Sequence, residues 1–197
     1  MRRAIYGGSF NPIHNDHIKL ALQFAQQFEL DRVTLIPTNI TPLKDNSRIA
    51  AGKHRYQMCL LAAQDHPELE VSDIELRRKG ESYTSDTIKE LWNDDDRLFL
   101  IVGADMYMTL DRWHEAQYIF DHVTVLVAPR GEYDYDSLEE KYLFYREQYG
   151  CRTLIAHQAI GELSSTMIRE GIASGADVSH MIDPRVLDYI QKHDLYR

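Results

Sequence analysis

The chain has 197 residues, 44% of them hydrophobic and 27% charged, a composition that predicts one globular domain over residues 1–197. Its formal net charge of −9 disfavours a general nucleic-acid binder, which usually presents a basic face. The sequence has no apolar run of about 18 residues to predict a membrane span, and its two cysteines favour a reduced, cytoplasmic protein over a disulfide framework.

Short apolar runs alternate along the chain with segments whose apolar residues lie three and four apart. The runs of strand length are Ala4–Tyr6, Val33–Ile36, Leu98–Val102, Val123–Val127 and Thr153–Ile155. Helical spacing occurs at Ile18–Phe28, from Lys53 to Ala62, at Thr84–Trp92 and at Pro184–Tyr196. This alternation predicts an α/β fold: a doubly wound parallel sheet with helices on both faces.

The segment at 131–150 differs from the rest because it combines acidic side chains with aromatic ones. We interpret it as a loop followed by an acidic, partly packed helix that forms a surface excursion. A contact within a homo-oligomer is the alternative.

The most informative segment follows the first predicted strand and runs from Gly7 to His17. The pair Gly7-Gly8 allows a sharp turn and close approach of a ligand to the backbone. A helix predicted to begin near Pro12–Asp16 would offer unpaired N–H groups and a positive dipole end to phosphate. His14 and His17 are three residues apart, so both imidazoles face the same way and can donate to phosphate oxygens.

Other interpretations of these residues are weaker. Most glycine pairs after strands are simple turns, and a histidine pair could bind a metal ion, but the sequence gives no third ligand. The combination within eleven residues favours a nucleotide site.

This segment resembles the first signature of the HxGH nucleotidyltransferase superfamily, whose members share a Rossmann-like sheet and transfer a nucleoside monophosphate with release of pyrophosphate. The second signature of that superfamily resembles Leu163–Arg169. There Ser164 can cap a helix, Ser165 and Thr166 can hold phosphates, and the planar fork of Arg169 can reach the same oxygens.

Further segments resemble the nicotinate mononucleotide adenylyltransferases in particular, in order along nearly the whole chain. They are Pro37–Lys44, Arg55–Met58, Ser82–Thr87, Ile101–Met106 with Trp113, and Val186–Arg197. The resemblance implies adenylyl transfer from ATP to nicotinate mononucleotide, which gives nicotinate adenine dinucleotide in NAD biosynthesis.

The resemblance implies roles for individual residues. His14, His17 and Arg169 are the expected catalytic residues. The residues expected to bind ATP are Gly8, Ser9, Phe10, His14, His17, Gly103, Asp105, Arg130, Ser164, Ser165, Thr166 and Arg169. Those expected to bind nicotinate mononucleotide are Gly7, Ser9, Lys44, Tyr83, Thr84, Ser85, Asp105 and Trp113. Three of these residues could instead have a purely structural role: Trp113 as a core residue, Lys44 as a solvated loop residue, and Asp105 as a helix cap.

The chain departs from the family pattern at four positions. Asp16 replaces the usual glycine, Asn11 stands where aspartate is frequent, and His114 follows Trp113 where an aromatic residue is frequent. Arg130 lies in Pro-Arg-Gly rather than Arg-Pro-Gly. A carboxylate at position 16 would repel phosphates, so we expect Asp16→Gly to lower the KM for ATP.

The implied chemistry needs no strong general base, because the acceptor phosphate is already ionised at neutral pH. Positioning and charge stabilisation would carry catalysis, with Mg²⁺ travelling on the ATP phosphates. The alternatives are the same reaction on nicotinamide mononucleotide, phosphopantetheine as acceptor, a domain that senses nucleotides without turnover, and a remnant of a class I tRNA-charging enzyme.

Overall fold

The computed structural model describes residues 1–40, 49–159 and 161–197. Its sheet has six strands in the order β3-β2-β1-β4-β5-β6, and every neighbouring pair is parallel. The strands are β1 Arg2–Gly8, β2 Arg32–Pro37, β3 Leu69–Val71, β4 Arg97–Ile101, β5 Thr124–Val127 and β6 Arg152–Ile155. The strand order reverses between β1 and β4, where ligands bind in sheets of this kind.

Helices connect the strands. They are α1 Asn15–Gln27, α2 Gly52–Ala63, α3 Ile74–Arg77, α4 Thr84–Leu91, α5 Ala104–Tyr107, α6 Ala116–His122, α7 Tyr135–Tyr149, α8 Ser165–Ser174 and α9 Pro184–Lys192, with a short 3-10 helix at Leu110–Arg112. Within the described ranges, the structure has no helix that is both long and apolar enough to cross a bilayer.

The sheet separates two hydrophobic clusters because successive side chains of a strand point to opposite faces. In β1, Ala4 and Tyr6 belong to the cluster that includes side chains of α1, α2, α8 and α9. Ile5 belongs to the other cluster, together with side chains of α4 to α7. The doubly wound α/β fold predicted from the sequence is therefore confirmed.

The first strand is longer than predicted. Gly7 and Gly8 are its last two residues and pair in register with Ile36 and Pro37 of β2. The turn comes afterwards, at Asn11 and Pro12, just after Phe10, whose φ is +42°. The prediction that the glycine pair itself forms the turn was therefore wrong, since the strand pairing extends through it.

The segment at 131–150 contains a loop and then α7, as expected. Asp134 caps this helix by accepting from the N–H of Ser137. Leu138 and Tyr145 are buried in the second cluster, whereas Leu143 and Phe144 remain exposed. The helix is therefore anchored along one side, and the homo-oligomer contact stays a prediction.

Candidate active site

Two cavities open near the carboxyl ends of β1 and β4, and Ser9 lines both. The first, here called the polar cavity, has a volume of about 510 Å³. It is lined by Ser9, Asn11, His14, His17, Ile49, Ala104, Asp105, Arg130, Gly131, Glu132, Tyr133, Ser164, Ser165, Thr166 and Arg169. The second, the aromatic cavity, has a volume of about 380 Å³. It is lined by Gly7, Gly8, Ser9, Thr38, Glu75, Ser82, Tyr83, Thr84, Leu100, Ile101, Val102, Gly103, Met106, Arg112, Trp113 and His114.

The two histidines of the front motif lie together at the start of α1. His14 is the N-cap residue, and its backbone N–H donates to Nδ1 of His17 at 3.2 Å. Their ring centroids are 3.7 Å apart, which confirms that the two rings share one face. A neutral His17 that accepts at Nδ1 carries its proton on Nε2, so it can donate a hydrogen bond from that atom.

Phe10 packs beneath the loop that leads to these histidines, on the side of the protein core. This side chain is buried and meets the ring of His17 edge-on, with centroids 5.1 Å apart. A Cβ at Gly8 would lie 3.1 Å from the Phe10 ring, so glycine at this position accommodates the aromatic support. Phe10 lines neither cavity, and it contributes to the site by holding His17 in place.

Burial governs the charge of His14. The residue is 3% exposed, and its pKa is lowered to about 4 mainly by desolvation. The carboxylate of Asp16 acts in the opposite direction, and the guanidinium of Arg130 lowers the pKa further. His14 is therefore neutral at physiological pH.

The start of α8 forms the opposite wall of the polar cavity. Ser164 is its N-cap, as predicted, and its Oγ accepts from the N–H of Met167 at 3.2 Å. The hydroxyl of Ser165 donates to the carbonyl of Pro12 at 2.8 Å, and Nη1 of Arg169 donates to the carbonyl of Asn11 at 2.9 Å. The two signature segments, 147 residues or more apart in the chain, are thus bonded to each other.

The aromatic cavity contains a flat ring, a helix start and one buried acid. The indole Nε1 of Trp113 is buried and has no hydrogen-bond partner within the described ranges. Tyr83 and Thr84 lie at the N-terminus of α4. Oε1 of Glu75 accepts from the hydroxyl of Thr87 at 2.7 Å. Burial raises the pKa of this carboxyl, and the hydroxyls of Thr87 and Ser82 and the charge of Arg78 lower it by a smaller amount. A buried donor without a partner costs about 1–3 kcal/mol, which a ligand with an acceptor atom would relieve.

Most predicted site residues line the cavities. The polar cavity contains Ser9, His14, His17, Asp105, Arg130, Ser164, Ser165, Thr166 and Arg169. The aromatic cavity contains Gly7, Gly8, Ser9, Tyr83, Thr84, Gly103 and Trp113. Ser85 is fully buried and, like Phe10, lines neither cavity. Lys44 lies outside the described residues. Gly103 rather than Asp105 is the N-cap of α5.

Sequence reasoning missed the residues that support the front loop from distant parts of the chain. Arg55, on α2, is 2% exposed and donates to the carbonyls of Ala50 and Ser9, both at 2.8 Å. The hydroxyl of Tyr196 donates to Oδ1 of Asn11 at 2.8 Å. Arg55 could have been suspected from its place among apolar helix residues, but its partners are set by tertiary structure.

Asp16 does not line the polar cavity. It is buried, with 5% of its surface exposed, and Oδ2 accepts from the backbone N–H of Leu163 at 2.9 Å. The sequence suggested a carboxylate that repels bound phosphate, but a backbone donor on the loop before α8 holds it instead. Among the residues that the structure describes, no cluster of three or more histidine, cysteine or acidic side chains could hold a metal ion.

Comparison with known proteins shows the family of the chain. Residues 5–171 match the cytidylyltransferase-like family. A "probable nicotinate-nucleotide adenylyltransferase" of Lachnoclostridium phytofermentans is 31% identical, with 98% of this chain and 97% of the relative covered. A protein of the same name from Thermoanaerobacter is 35% identical, with 100% and 95% covered. The chain belongs to the nicotinate-nucleotide adenylyltransferase family. The fold is also similar to that of the Plasmodium falciparum nicotinic acid mononucleotide adenylyltransferase complexed with NaAD, with a TM-score of 0.79, 20% identity, and 99% and 97% of the two chains covered.

Family membership identifies the chain as a nucleotidyltransferase. They come from opposite ends of the sequence, yet they enclose one cavity at the switch point of the sheet. Resemblance of short motifs, fold and overall sequence similarity thus lead to the same family.

Proposed function

We propose that this chain transfers the adenylyl group of ATP to nicotinate mononucleotide and releases pyrophosphate, a step of NAD biosynthesis. The observation that carries the proposal is the pair of unlike cavities that share Ser9. One offers the cationic and helix-terminal groups that a triphosphate needs, and the other offers an aromatic ring and buried polar groups for a pyridine nucleotide. The names of the relatives support the same reaction.

In this proposal ATP lies in the polar cavity with its phosphates between the starts of α1 and α8. The hydroxyl of Ser165 is engaged by Pro12, so its phosphate contact would come from the backbone N–H in the first turn of α8. Arg169 and Arg130 supply positive charge, and Asp105, in the first turn of α5, is placed to accept from ribose hydroxyls. Gly8 and Gly103, which the sequence assigned to ATP, line the aromatic cavity instead, and Phe10 supports the site from behind His17 without lining either cavity.

The nicotinate mononucleotide lies in the aromatic cavity, with its pyridine ring against Trp113. Its carboxylate would accept from the peptide N–H of Thr84, at the start of α4, because Ser85 is fully buried and lines neither cavity. Gly7 favours this arrangement, because a Cβ there would meet no protein atom within 4 Å and would point into the open space that a ligand uses. The acceptor phosphate is then directed to Ser9, where the cavities meet, and the role of Lys44 stays a prediction.

The reaction requires one bond to form and one to break at the α-phosphorus. A phosphate oxygen of the mononucleotide attacks in line, and the bond from the α-phosphorus to the bridging oxygen of the β-phosphate breaks, so pyrophosphate leaves with the electron pair. His17 donates from Nε2 to the phosphate oxygens as negative charge shifts, and the neutral His14 assists without adding fixed charge. Arg169 stabilises the leaving pyrophosphate.

We propose that Mg²⁺ arrives on the phosphates of ATP as part of the substrate. The ion would keep several of its waters and neutralise the triphosphate during transfer. The two cysteines, both buried and free, are compatible with a reducing compartment, and we propose the cytoplasm as the place of the reaction.

The proposal is tested by an assay of pyrophosphate release with ATP and Mg²⁺, run in parallel with nicotinate and nicotinamide mononucleotide. We expect pyrophosphate with the nicotinate form and a kcat/KM at least about tenfold lower with the amide, because the carboxylate gains charge-assisted hydrogen bonds. Absence of pyrophosphate with either acceptor at every Mg²⁺ concentration would refute the proposal. Equal or better use of the amide would assign the aromatic cavity to nicotinamide mononucleotide.

A further inference from the structure

Asp16 lies between His14 and His17 in the sequence, but its side chain contacts the loop before α8, on the other side of the polar cavity. Its carboxylate is buried, and Oδ2 accepts the N–H of Leu163 at 2.9 Å. The ammonium of exposed Lys19 lies 3.9 Å from the other oxygen. A buried carboxylate on α1 therefore holds a peptide group that is 147 residues away in the chain.

Both backbone polar groups of Leu163, its N–H and its carbonyl, are hydrogen-bonded to charged side chains. Asp16 accepts from its N–H, and Nη2 of Arg130 donates to its carbonyl. The next residue is Ser164, the N-cap of α8. Hydrogen bonds to charged groups are stronger than those between neutral ones, so this pair fixes the chain just before the helix starts.

Gly161 provides the room that the carboxylate occupies. A Cβ at position 161 would lie 2.5 Å and 2.8 Å from the two oxygens of Asp16 and 2.9 Å from its Cγ. Real Cβ atoms do not come so close, so the loop or the carboxylate would have to move. The acid at 16 and the missing side chain at 161 therefore form a matched pair.

We propose that Asp16 is a positioning residue for ATP, which acts by holding Leu163 so that the start of α8 faces the polar cavity. The inference rests on the proposed function, since it assumes that Ser165, Thr166 and Arg169 bind the triphosphate. It reverses the expectation from sequence that Asp16→Gly lowers the KM for ATP. Loss of the carboxylate releases the loop and weakens ATP binding.

The test is a double-mutant cycle with Asp16→Gly, Gly161→Ala and the double variant, in which ATP affinity is measured by calorimetry and kcat and KM by steady-state assay. Asp16→Gly should weaken ATP binding about tenfold, the loss expected for one buried charge-assisted hydrogen bond. The kcat at saturating ATP should fall less than about threefold, because the reacting groups themselves are unchanged.

The cycle isolates the contact between positions 16 and 161. Gly161→Ala should weaken ATP binding about fivefold or more when Asp16 is present but less than about twofold in the Asp16→Gly background, since neighbouring residues are not additive. Asp16→Asn should recover most of the affinity, because the amide oxygen can accept the same N–H. Any cost of glycine within α1 itself cancels in the cycle.

Lys19→Ala is the matched control, because it removes the exposed charge next to Asp16 and leaves the bond to Leu163 intact. It should leave ATP binding unchanged. Unchanged or tighter ATP binding in Asp16→Gly, or equal effects of Gly161→Ala in both backgrounds, would overturn the inference. Calorimetry with ATP alone needs no acceptor, so a failure of the proposed reaction is distinguishable from a failure of the positioning role.

Discussion

The polar and aromatic cavities share an edge of the sheet but are built differently. The polar cavity is enclosed by two segments bonded to each other, with Asn11 and Pro12 accepting from Arg169 and Ser165. The aromatic cavity is formed on apolar strand ends, and its donor on Trp113 has no partner among the described residues. Polar groups that are already held favour catalysis through preorganised charge. Among the described residues, each cavity also has a buried ring nitrogen without a partner, Nδ1 of His14 in the polar cavity and Nε1 of Trp113 in the aromatic one.

This difference predicts that substitutions in the two cavities have different kinetic effects. Groups that contact the phosphates in the transition state should change kcat, whereas groups that contact only the acceptor ring should change its KM.

The largest effect is expected at His17. His17→Ala removes the donor that strengthens as charge develops on the phosphates, so kcat should fall about 10²-fold or more while the KM of the acceptor changes little. Steady-state kinetics with nicotinate mononucleotide measure both constants. His157→Ala removes an exposed histidine stacked on Tyr135 and should keep wild-type values. A raised KM for the acceptor with an unchanged kcat would contradict this role, because it would mean that His17 contacts the acceptor rather than the reacting phosphates.

Arg169 comes next in magnitude. Arg169→Ala should reduce kcat/KM for ATP about 10²-fold, because it removes both a phosphate partner and the bond to the carbonyl of Asn11. Arg169→Lys should recover part of this loss, since it restores the charge without the planar fork. Arg146→Ala, an exposed arginine on α7, serves as control. Equal activity of the alanine and lysine variants would show that charge at this position is unimportant.

Substitution of Trp113 tests the other side of the comparison. Trp113→Ala should raise the KM for nicotinate mononucleotide about tenfold with a smaller change in kcat, because stacking and apolar contact bind the ring before and during transfer. Trp92→Ala is the matched control, since Trp92 is exposed and lies outside both cavities. If ATP binding weakened as much as acceptor binding, the separation of the two cavities would be wrong.

The smallest effect at neutral pH concerns His14. Its pKa is about 4 in the folded protein and near 6.5 when unfolded, so both states are neutral above pH 6.5. As the pH falls from 6.5 to 4, the unfolded chain binds a proton that the folded one does not, and stability decreases by on the order of 3 kcal/mol. Urea unfolding at several pH values should show a shallower decrease for His14→Gln. Identical slopes would contradict the buried, neutral His14.

Much of the fold could be predicted from periodicity, and the exceptions are instructive. The strand Leu69–Val71 was missed because three residues are too few to show an alternating pattern. The closing helix was predicted to reach Tyr196 but ends at Lys192, while Pro184 does occupy its first turn. Helix ends depend on local capping that the apolar stripe does not record.

The site was predictable where a motif is contiguous and not where partners are distant. The histidine pair and the Ser164 cap are local and follow from spacing. The partner of the Asp16 carboxylate is the backbone N–H of Leu163, which is distant in the chain, so the sequence around Asp16 indicated only a negative charge near the phosphates. Arg55 and Tyr196 support the front loop through contacts that no local pattern encodes.

The most direct test of the central claim follows the α-phosphorus. ATP labelled at the α-phosphate is incubated with the protein, Mg²⁺ and nicotinate mononucleotide, and the products are separated. If the chain transfers the adenylyl group, the label appears in nicotinate adenine dinucleotide and the pyrophosphate carries none. Recovery of the label in ADP, as expected for transfer of the γ-phosphate, or an unlabelled dinucleotide fraction would contradict adenylyl transfer across the two cavities.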